Sequence, residues 1–288
     1  DRSIKLSEGL TLYFSQKKLK PNTIQIYKLA VKHFIYVLGD KYLYRYSRVD
    51  GINFNNFLNE RTRKGAKNTQ QQISQNTKAN YTRHIYSLFQ WFVKNKLIKE
   101  NIVEKFKVEK KQVETIPVEE LKIIFKAFEG VNLKKNRDLI MLKYFAAYRA
   151  EELLSAKAED FNFNTRIIKI NNLKANRVDE IPMVDDLYHH LKQMDLPKSG
   201  KITKLNYQGL RSVFRRVQAR LIKKKIISNE YTLHQLRKAR GTDLANQGVS
   251  PLFLHKFMRH ENIKTTMDYY IKVDLQKMAA EINSKLKI

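Results

Sequence analysis

The chain has no cysteine among its 288 residues. This absence excludes disulfide bonds, zinc sites built on thiolates and a cysteine nucleophile, and it suits a protein of the reducing cytoplasm. Acidic residues are also scarce, since 28 Asp and Glu stand against 56 Lys and Arg. The resulting net charge of +28 favours binding to a polyanion, with nucleic acid as the first candidate.

Long apolar runs are missing as well. The best one, Leu139–Tyr148, is interrupted by Lys143 and falls short of the roughly 20 residues of a membrane-spanning helix. A basic protein bound at a membrane surface is the weaker rival of a nucleic-acid-binding protein, and we expect no membrane partner. The chain begins at Asp1 without the pattern of a signal peptide, which is compatible with the loss of an N-terminal extension.

Signatures of cofactor use are absent too. The nine glycines form no GxxxxGK[ST] loop, so nothing indicates the use of ATP. His189 and His190 are adjacent rather than spaced for a metal, and acidic pairs such as Glu119-Glu120 lie beside apolar runs, as at ordinary helix starts. The sequence therefore predicts no cofactor and no metal site.

The N-terminal part shows a helical pattern. Apolar residues recur at spacings of three and four from Ser7 to about Phe106, which predicts a helical domain over residues 1–106. Two stripes show it best: Ile24, Tyr27, Val31, Phe34 and Leu38, then Tyr81, Ile85, Leu88, Phe89 and Phe92. The charged stretch that follows lacks an amphipathic period and predicts a linker at 107–116.

Residues 117–288 form the second predicted domain. A helical stretch at Arg137–Leu154 precedes two alternating segments, Arg166–Asn172 and Val178–Met183, which predict a hairpin that turns through 174–176. Helical patterns then resume from Tyr207. The fold class is therefore mainly α with a small β-hairpin or sheet, in two domains of which the second is α+β.

The last segment keeps a helical spacing after Asp274, which could cap a helix there. Its apolar positions are Leu275, Met278, Ala279, Ile282 and Leu286. The spacing alone leaves two partners open for this face, its own domain and a neighbouring subunit.

Several basic residues could meet a phosphate. His234 and Arg237 are three residues apart and would share one face of a helix. Arginine supplies a permanent planar cation for phosphate oxygens, and histidine can move a proton near neutral pH. An HxxR pair alone also fits two ordinary surface residues.

The stretch from Leu254 to Tyr270 is more specific. His260 lies nine positions before Tyr269, with Thr265-Thr266 between them. This pattern resembles the closing motif of the tyrosine recombinases, a phage-type integrase family that includes the Xer proteins. In that motif a Thr-Thr pair starts the helix that leads to the tyrosine, which implies a helix start at Thr265-Thr266. Arg259 stands where that family usually has glycine.

Two further stretches resemble the same family in the same order. Arg149, followed by Glu152 and Leu153, is similar to its first-arginine box, although Tyr148 and Glu151 are atypical and the box also fits a charged helix face. Lys174 falls on the position of the catalytic lysine in the Xer-type hairpin, with Lys169 and Arg177 as the fallbacks. Residues 76–103 look like the last helix of the family's core-binding domain.

The resemblance implies a site-specific DNA recombinase, Xer-like or a mobile-element integrase, that acts as a tetramer and grips duplex DNA in a C-shaped clamp. The implied roles are Tyr269 as nucleophile, with Tyr270 as the next candidate; Arg149 and Arg237 on phosphate oxygens; His260 as a hydrogen-bond donor; His234 for the phenol proton; Lys174 as general acid; and Glu152 in support. A type IB topoisomerase and a non-catalytic DNA-binding protein are the alternatives.

Overall fold

The computed structural model describes residues 3–64, 70–108, 115–128, 131–173 and 175–270, together with Asn283. The chain divides into two compact units, Asp1–Lys111 and Gln112–Ile288. The predicted linker and the C-terminal segment lie largely outside the described residues, so both stay predictions. None of the described helices is long and apolar enough to cross a bilayer.

The first unit is helical, as predicted, with one short strand pair that was not. Its elements are α1 (Leu6–Ser15), α2 (Pro21–Leu38), α3 (Arg48–Glu60), β1 (Thr62–Lys64), β2 (Gln70–Gln72) and α4 (Gln75–Lys94). α2 begins at Pro21, where proline is tolerated because a first-turn N–H has no acceptor within the helix. Ser74 caps α4 by accepting a hydrogen bond from the Thr77 N–H at 3.2 Å.

Aromatic rings fill the core of this unit. The ring centroid of Phe34 lies 4.9 Å from that of Phe54 and 5.5 Å from that of Phe89, and all three rings are fully buried. Both predicted stripes contribute buried residues to this core: Tyr27, Val31 and Phe34 from α2, and Ile85, Leu88, Phe89 and Phe92 from α4. The helical prediction for this region is therefore confirmed.

The second unit surrounds a small antiparallel sheet with helices. Its elements are α5 (Val118–Lys126), α6 (Val131–Phe145), α7 (Ala150–Ser155), β3 (Phe161–Asn162), β4 (Ile167–Asn172), β5 (Arg177–Pro182), α8 (Asp185–Gln193), α9 (Tyr207–Lys223), α10 (Leu233–Asn246), α11 (Pro251–Met258) and α12 (Ile263–Met267). The strand order is β3-β4-β5, with Ile168 opposite Ile181. The predicted hairpin is confirmed, and β3 adds an edge strand to it.

The helical stretch predicted at Arg137–Leu154 is wrong as a single helix. α6 ends at Phe145, Ala147 takes a left-handed backbone with φ +47°, and α7 begins three residues later. The Tyr148 N–H donates to the Lys143 carbonyl at 3.0 Å, a bond typical of helix C-termini. Arg149 therefore lies in a turn, directly before the first residue of α7.

α12 also begins at another residue than the resemblance implies. The Asn262 side chain, rather than Thr265 or Thr266, caps it by accepting from the Lys264 N–H at 2.9 Å. Thr266 is consequently free to turn its hydroxyl into the domain, where it is fully buried.

Candidate active site

The turn between α6 and α7 presents Arg149 to a cavity of about 320 Å³ in the second unit. The Arg149 backbone N–H donates to the Glu152 carboxylate at 2.8 Å, and its guanidinium donates to the same carboxylate at 2.5 Å. A second guanidinium nitrogen donates to the Arg259 carbonyl at 2.9 Å. Glu152 and the Arg259 carbonyl thus hold the Arg149 guanidinium from two sides. A charged residue on an ordinary exposed helix face does not have such contacts.

Glu152 is the shared acceptor of this region. It is 3% exposed and, among the described residues, it is the carboxylate paired with three arginines. The nitrogen-to-oxygen distances are 2.5 Å to Arg149, 2.9 Å to Arg259 and 3.9 Å to Arg237. Burial alone would raise the pKa of Glu152, but Arg259, the Arg149 N–H and Arg237 lower it below its usual value. Glu152 therefore stays ionised at neutral pH.

Arg237 enters the same region from α10. It is 2% exposed, and its guanidinium donates to the carbonyls of Ala147 and Met258, so the surface-pair interpretation of HxxR is wrong for this residue. Burial, then the charges of Arg259 and Arg149, lower the pKa of Arg237 to about 9. The guanidinium still remains charged at neutral pH.

His234 lies one turn earlier on α10 and lines the cavity beside Arg149 and Lys143. His234 is exposed at the rim of the cavity, but its ring is partly enclosed and lies near several cationic side chains. Partial burial, followed by Lys143 and Arg237, lowers the pKa of His234 to about 4. The ring is therefore neutral at pH 7 and can accept a proton.

His260 follows α11 and is buried. Its Nδ1 lies 2.9 Å from the Thr266 hydroxyl, and its backbone N–H donates to the His255 carbonyl at 3.3 Å. Burial and the charges of Arg237 and Arg149 lower the pKa of His260 to about 3. The Thr266 contact fixes the orientation of a ring that is neutral at pH 7.

Tyr269 packs directly on His260. The two rings are stacked, with centroids 5.9 Å apart and planes 11° apart, and Tyr269 is 8% exposed. Burial raises the pKa of its phenol, while the charge of Arg237 opposes the rise. The phenol is therefore protonated at neutral pH and needs a base before it can act as a nucleophile.

Tyr270, the alternative nucleophile, is engaged elsewhere. Its hydroxyl donates to the Val249 carbonyl, and burial raises its pKa. The contact with a backbone carbonyl occupies the phenol proton of Tyr270. Geometry thus favours Tyr269 of the two adjacent tyrosines.

Lys174 lies outside the described residues, so its role stays a prediction. Leu173, directly before it in sequence, lines the cavity together with Arg149 and His234. Of the fallbacks, Lys169 is exposed on β4, and Arg177 forms an exposed ion pair with Asp179 at 2.7 Å.

Most of the second unit matches a known protein family. The model of the phage integrase family matches residues 114–277, more than half of the sequence. The chain belongs to the phage integrase family. The matched range includes Arg149, the HxxR pair, His260 and Tyr269.

Curated relatives in the phage integrase family include transposases and a recombinase. Transposase A from transposon Tn554 of Staphylococcus aureus is 26% identical over 199 residues, which cover 60% of this chain and 52% of that protein. A tyrosine recombinase of Thermosipho africanus is 24% identical over 271 residues, which cover 90% of this chain and 92% of that protein. The chain thus spans about half the length of the transposase and nearly all of the recombinase.

Solved integrases share the fold. The Tn1549 transposon integrase in complex with transposon right end DNA has a TM-score of 0.74 at 18% identity, covering 99% of this chain and 100% of that one. A lambda integrase tetramer bound to a Holliday junction has a TM-score of 0.71 at 17% identity, covering 96% and 82%. At these identities the likeness establishes the architecture.

Two buried cations of the site itself were not expected from the sequence. Lys143 is 1% exposed, and its ammonium donates to the Tyr148 carbonyl, beside the cavity. Arg259, at the position where the phage integrase resemblance expects glycine, inserts its side chain against Glu152. The signals were present, since Lys143 interrupts an apolar run and Arg259 departs from the motif. Neither signal shows which group inside the domain the buried cation contacts.

Proposed function

We propose that this chain is a site-specific DNA recombinase that cleaves and rejoins strands through a covalent 3′-phosphotyrosyl bond at Tyr269. The observation that supports it most is the convergence of Arg149 and Arg237, distant in sequence, on one buried carboxylate, with the charge of Arg237 acting on Tyr269. A site of this kind has more positive than negative charge. A DNA phosphate would supply the missing anion.

The cations suit phosphoryl transfer. Attack on a phosphodiester builds negative charge on the equatorial oxygens, and preorganised donors aimed at those oxygens lower the barrier. Arg149 and Arg237 would hold the oxygens, and His260 would add a hydrogen bond. Glu152 would orient the two arginines rather than react. The proposal needs neither a metal nor a cofactor, because protein cations stabilise the transition state.

The proton balance follows from the pKa directions. Tyr269 starts protonated and His234 starts neutral, so His234 is free to take the phenol proton as the Tyr269 oxygen bonds to phosphorus. The cations that lower the pKa of His234 make it a weak base on its own, and the negative charge of the bound phosphate would offset them. The bond between phosphorus and the 5′ oxygen breaks, and that oxygen takes a proton, for which Lys174 is the proposed donor. Reversal of both transfers rejoins the strand.

The proposed partner is double-stranded DNA with a specific recombination site, gripped by both domains and bound by a tetramer in which the C-terminal segment docks on a neighbour. The DNA complex of the Tn1549 integrase supports the DNA partner, and the lambda integrase tetramer on a Holliday junction supports the oligomer. A cytoplasmic location fits the absence of cysteine. Both a Xer-like role and a role in a mobile element agree with this proposal.

Tyr269→Phe tests the nucleophile, with Tyr270→Phe as the matched control. The protein is incubated with labelled DNA selected for binding, and covalent adduct is resolved on a denaturing gel. Loss of the phenol oxygen should abolish the adduct in the first variant and leave DNA binding unchanged in both. An adduct that persists in Tyr269→Phe contradicts the assignment. Relaxation of plasmids without any specific site would instead favour a type IB topoisomerase.

A further inference from the structure

Arg259 occupies a backbone position that suits glycine better than arginine. It ends α11 with φ +52° and ψ +44°, the left-handed region in which a Cβ atom is unfavourable. Glycine is the usual residue at such a helix end. An arginine here implies that its side chain makes contacts that offset the backbone cost.

The side chain makes those contacts inside the domain. Arg259 is 2% exposed, and its guanidinium lies 5.8 Å from the centroid of the Tyr148 ring. The guanidinium donates hydrogen bonds to the carbonyls of Phe257 (2.7 Å), Ala147 (2.8 Å) and Ala146 (3.3 Å) and to the Glu152 carboxylate (2.9 Å). One guanidinium thus ties the end of α11 to the turn before Arg149.

Both anchors of Arg149 depend on this residue. The Arg149 guanidinium donates on one side to the Arg259 backbone carbonyl and on the other to Glu152. Glu152 is in turn held by the Arg259 side chain at 2.9 Å, while Arg237 is still 3.9 Å away. Without the Arg259 side chain, the carboxylate could move toward Arg237 and take Arg149 with it.

We infer that Arg259 is a positioning residue, which fixes the Glu152 carboxylate and through it the guanidinium of Arg149. This inference rests on the proposed function, in which Arg149 holds a phosphate oxygen. Arg259 acts on the rate of the chemical step rather than on DNA affinity, because its guanidinium faces Glu152 and backbone carbonyls. A displacement of about 1 Å at such a group can cost on the order of 100-fold in rate.

Arg259→Gly is the decisive variant, because glycine relieves the left-handed backbone and removes only the side chain. The rate constant of adduct formation at saturating DNA should fall roughly 100-fold, while the dissociation constant for DNA should change less than about threefold. Arg259→Lys keeps the charge and one contact to Glu152, so it should recover part of the rate. Arg240→Gln, which removes a buried arginine paired with Asp186 outside the site, is the matched control and should cleave like the wild type.

A double-mutant cycle separates positioning from general weakening of the domain. Arg149→Ala alone should cleave slowly, and adding Arg259→Gly to it should slow cleavage less than about threefold further, because the group that Arg259 positions is already gone. Arg259→Lys in the same cycle serves if the glycine variant does not fold.

Four outcomes would overturn the inference, and the last of them would also overturn the proposed function. Wild-type rates in Arg259→Gly, or losses that multiply in the double variant, overturn the inference and leave the proposed function intact. Loss of cleavage in Arg240→Gln to the same extent also overturns it, since removal of any buried arginine would then suffice. Absence of adduct from the wild-type protein overturns the proposed function, and the inference with it.

Discussion

Replacement of Lys143 by methionine should change how the stability of the second unit depends on pH. Lys143 is 1% exposed, and its ammonium contacts the Tyr148 carbonyl. Burial and the charge of Arg237 lower its pKa from 10.5 to about 7, although Glu152 opposes the change. Methionine has a similar length and no charge, so the variant removes this titration with little change in volume.

The direction in which the free energy of unfolding changes with pH follows from the number of protons that the folded and unfolded states hold. Between pH 7 and 10.5 the unfolded chain keeps the Lys143 proton that the folded chain has released. The free energy of unfolding therefore rises with pH in this window, by at most about 1.4 kcal/mol per pH unit. From pH 7.5 to 9.5 the wild type should gain about 2 kcal/mol relative to Lys143→Met. Well below pH 7 both states hold the proton, and the difference should become flat.

The assay is urea unfolding of both proteins at a series of pH values and constant salt, without DNA. Trp91, the sole tryptophan, lies in the first unit, whereas both units contain tyrosines. Unfolding of the second unit is therefore followed as the transition that near-UV circular dichroism shows and Trp91 fluorescence does not. Lys122→Met is the control, because Lys122 is exposed in the folded state and its removal should leave the wild-type pH dependence. A difference between wild type and Lys143→Met that stays constant from pH 7.5 to 9.5 would refute the reasoning.

Two further predictions concern glycines. A Cβ atom at Gly241 would lie 2.8 Å from Tyr269 Cε1 and 3.0 Å from Met258 Cε, so Gly241→Ala should slow adduct formation on a denaturing gel and leave DNA affinity in a filter-binding assay unchanged. A Cβ atom at Gly51 would lie 2.0 Å from the Ile102 carbonyl oxygen. Gly51→Ala should therefore destabilise the first unit by about 1–3 kcal/mol, measured by Trp91 fluorescence in urea, and an unchanged midpoint would contradict this close packing.

Local patterns predicted most of the fold. Alternation fixed the hairpin to within one residue at each strand end, because β4 and β5 each have distinct inner and outer positions. The break after Phe145 was missed, since Ala146, Ala147 and Tyr148 are all buried and continue the apolar run. β1 and β2 were missed because their sequences are wholly polar and lack any alternation.

The candidate site was predictable only in part, for a different reason. The resemblance to the tyrosine recombinases, which rests on the order and spacing of the motifs, singles out Arg149, the HxxR pair, His260 and Tyr269 as a set. They do not show that Glu152 is the common acceptor of three arginines, because two of the three contacts, those of Arg237 and Arg259, join residues 85 and 107 positions apart. The partners of Lys143 and Arg259 likewise depend on tertiary packing, which a departure from a motif can mark but cannot specify.

The charge balance of the site links its stability to its proposed ligand. The carbonyls of Ala146, Ala147 and Tyr148 accept from buried cations, since Arg259 donates to the first two and Lys143 to the third. Carbonyl dipoles offset only part of a cation's desolvation cost, and Glu152 adds a single negative charge. Burial, and after it this excess positive charge, lower the pKa of Lys143, and the same excess charge would attract a phosphate. Because linkage is reciprocal, a bound phosphate should favour protonation of Lys143, and protonated Lys143 should strengthen phosphate binding.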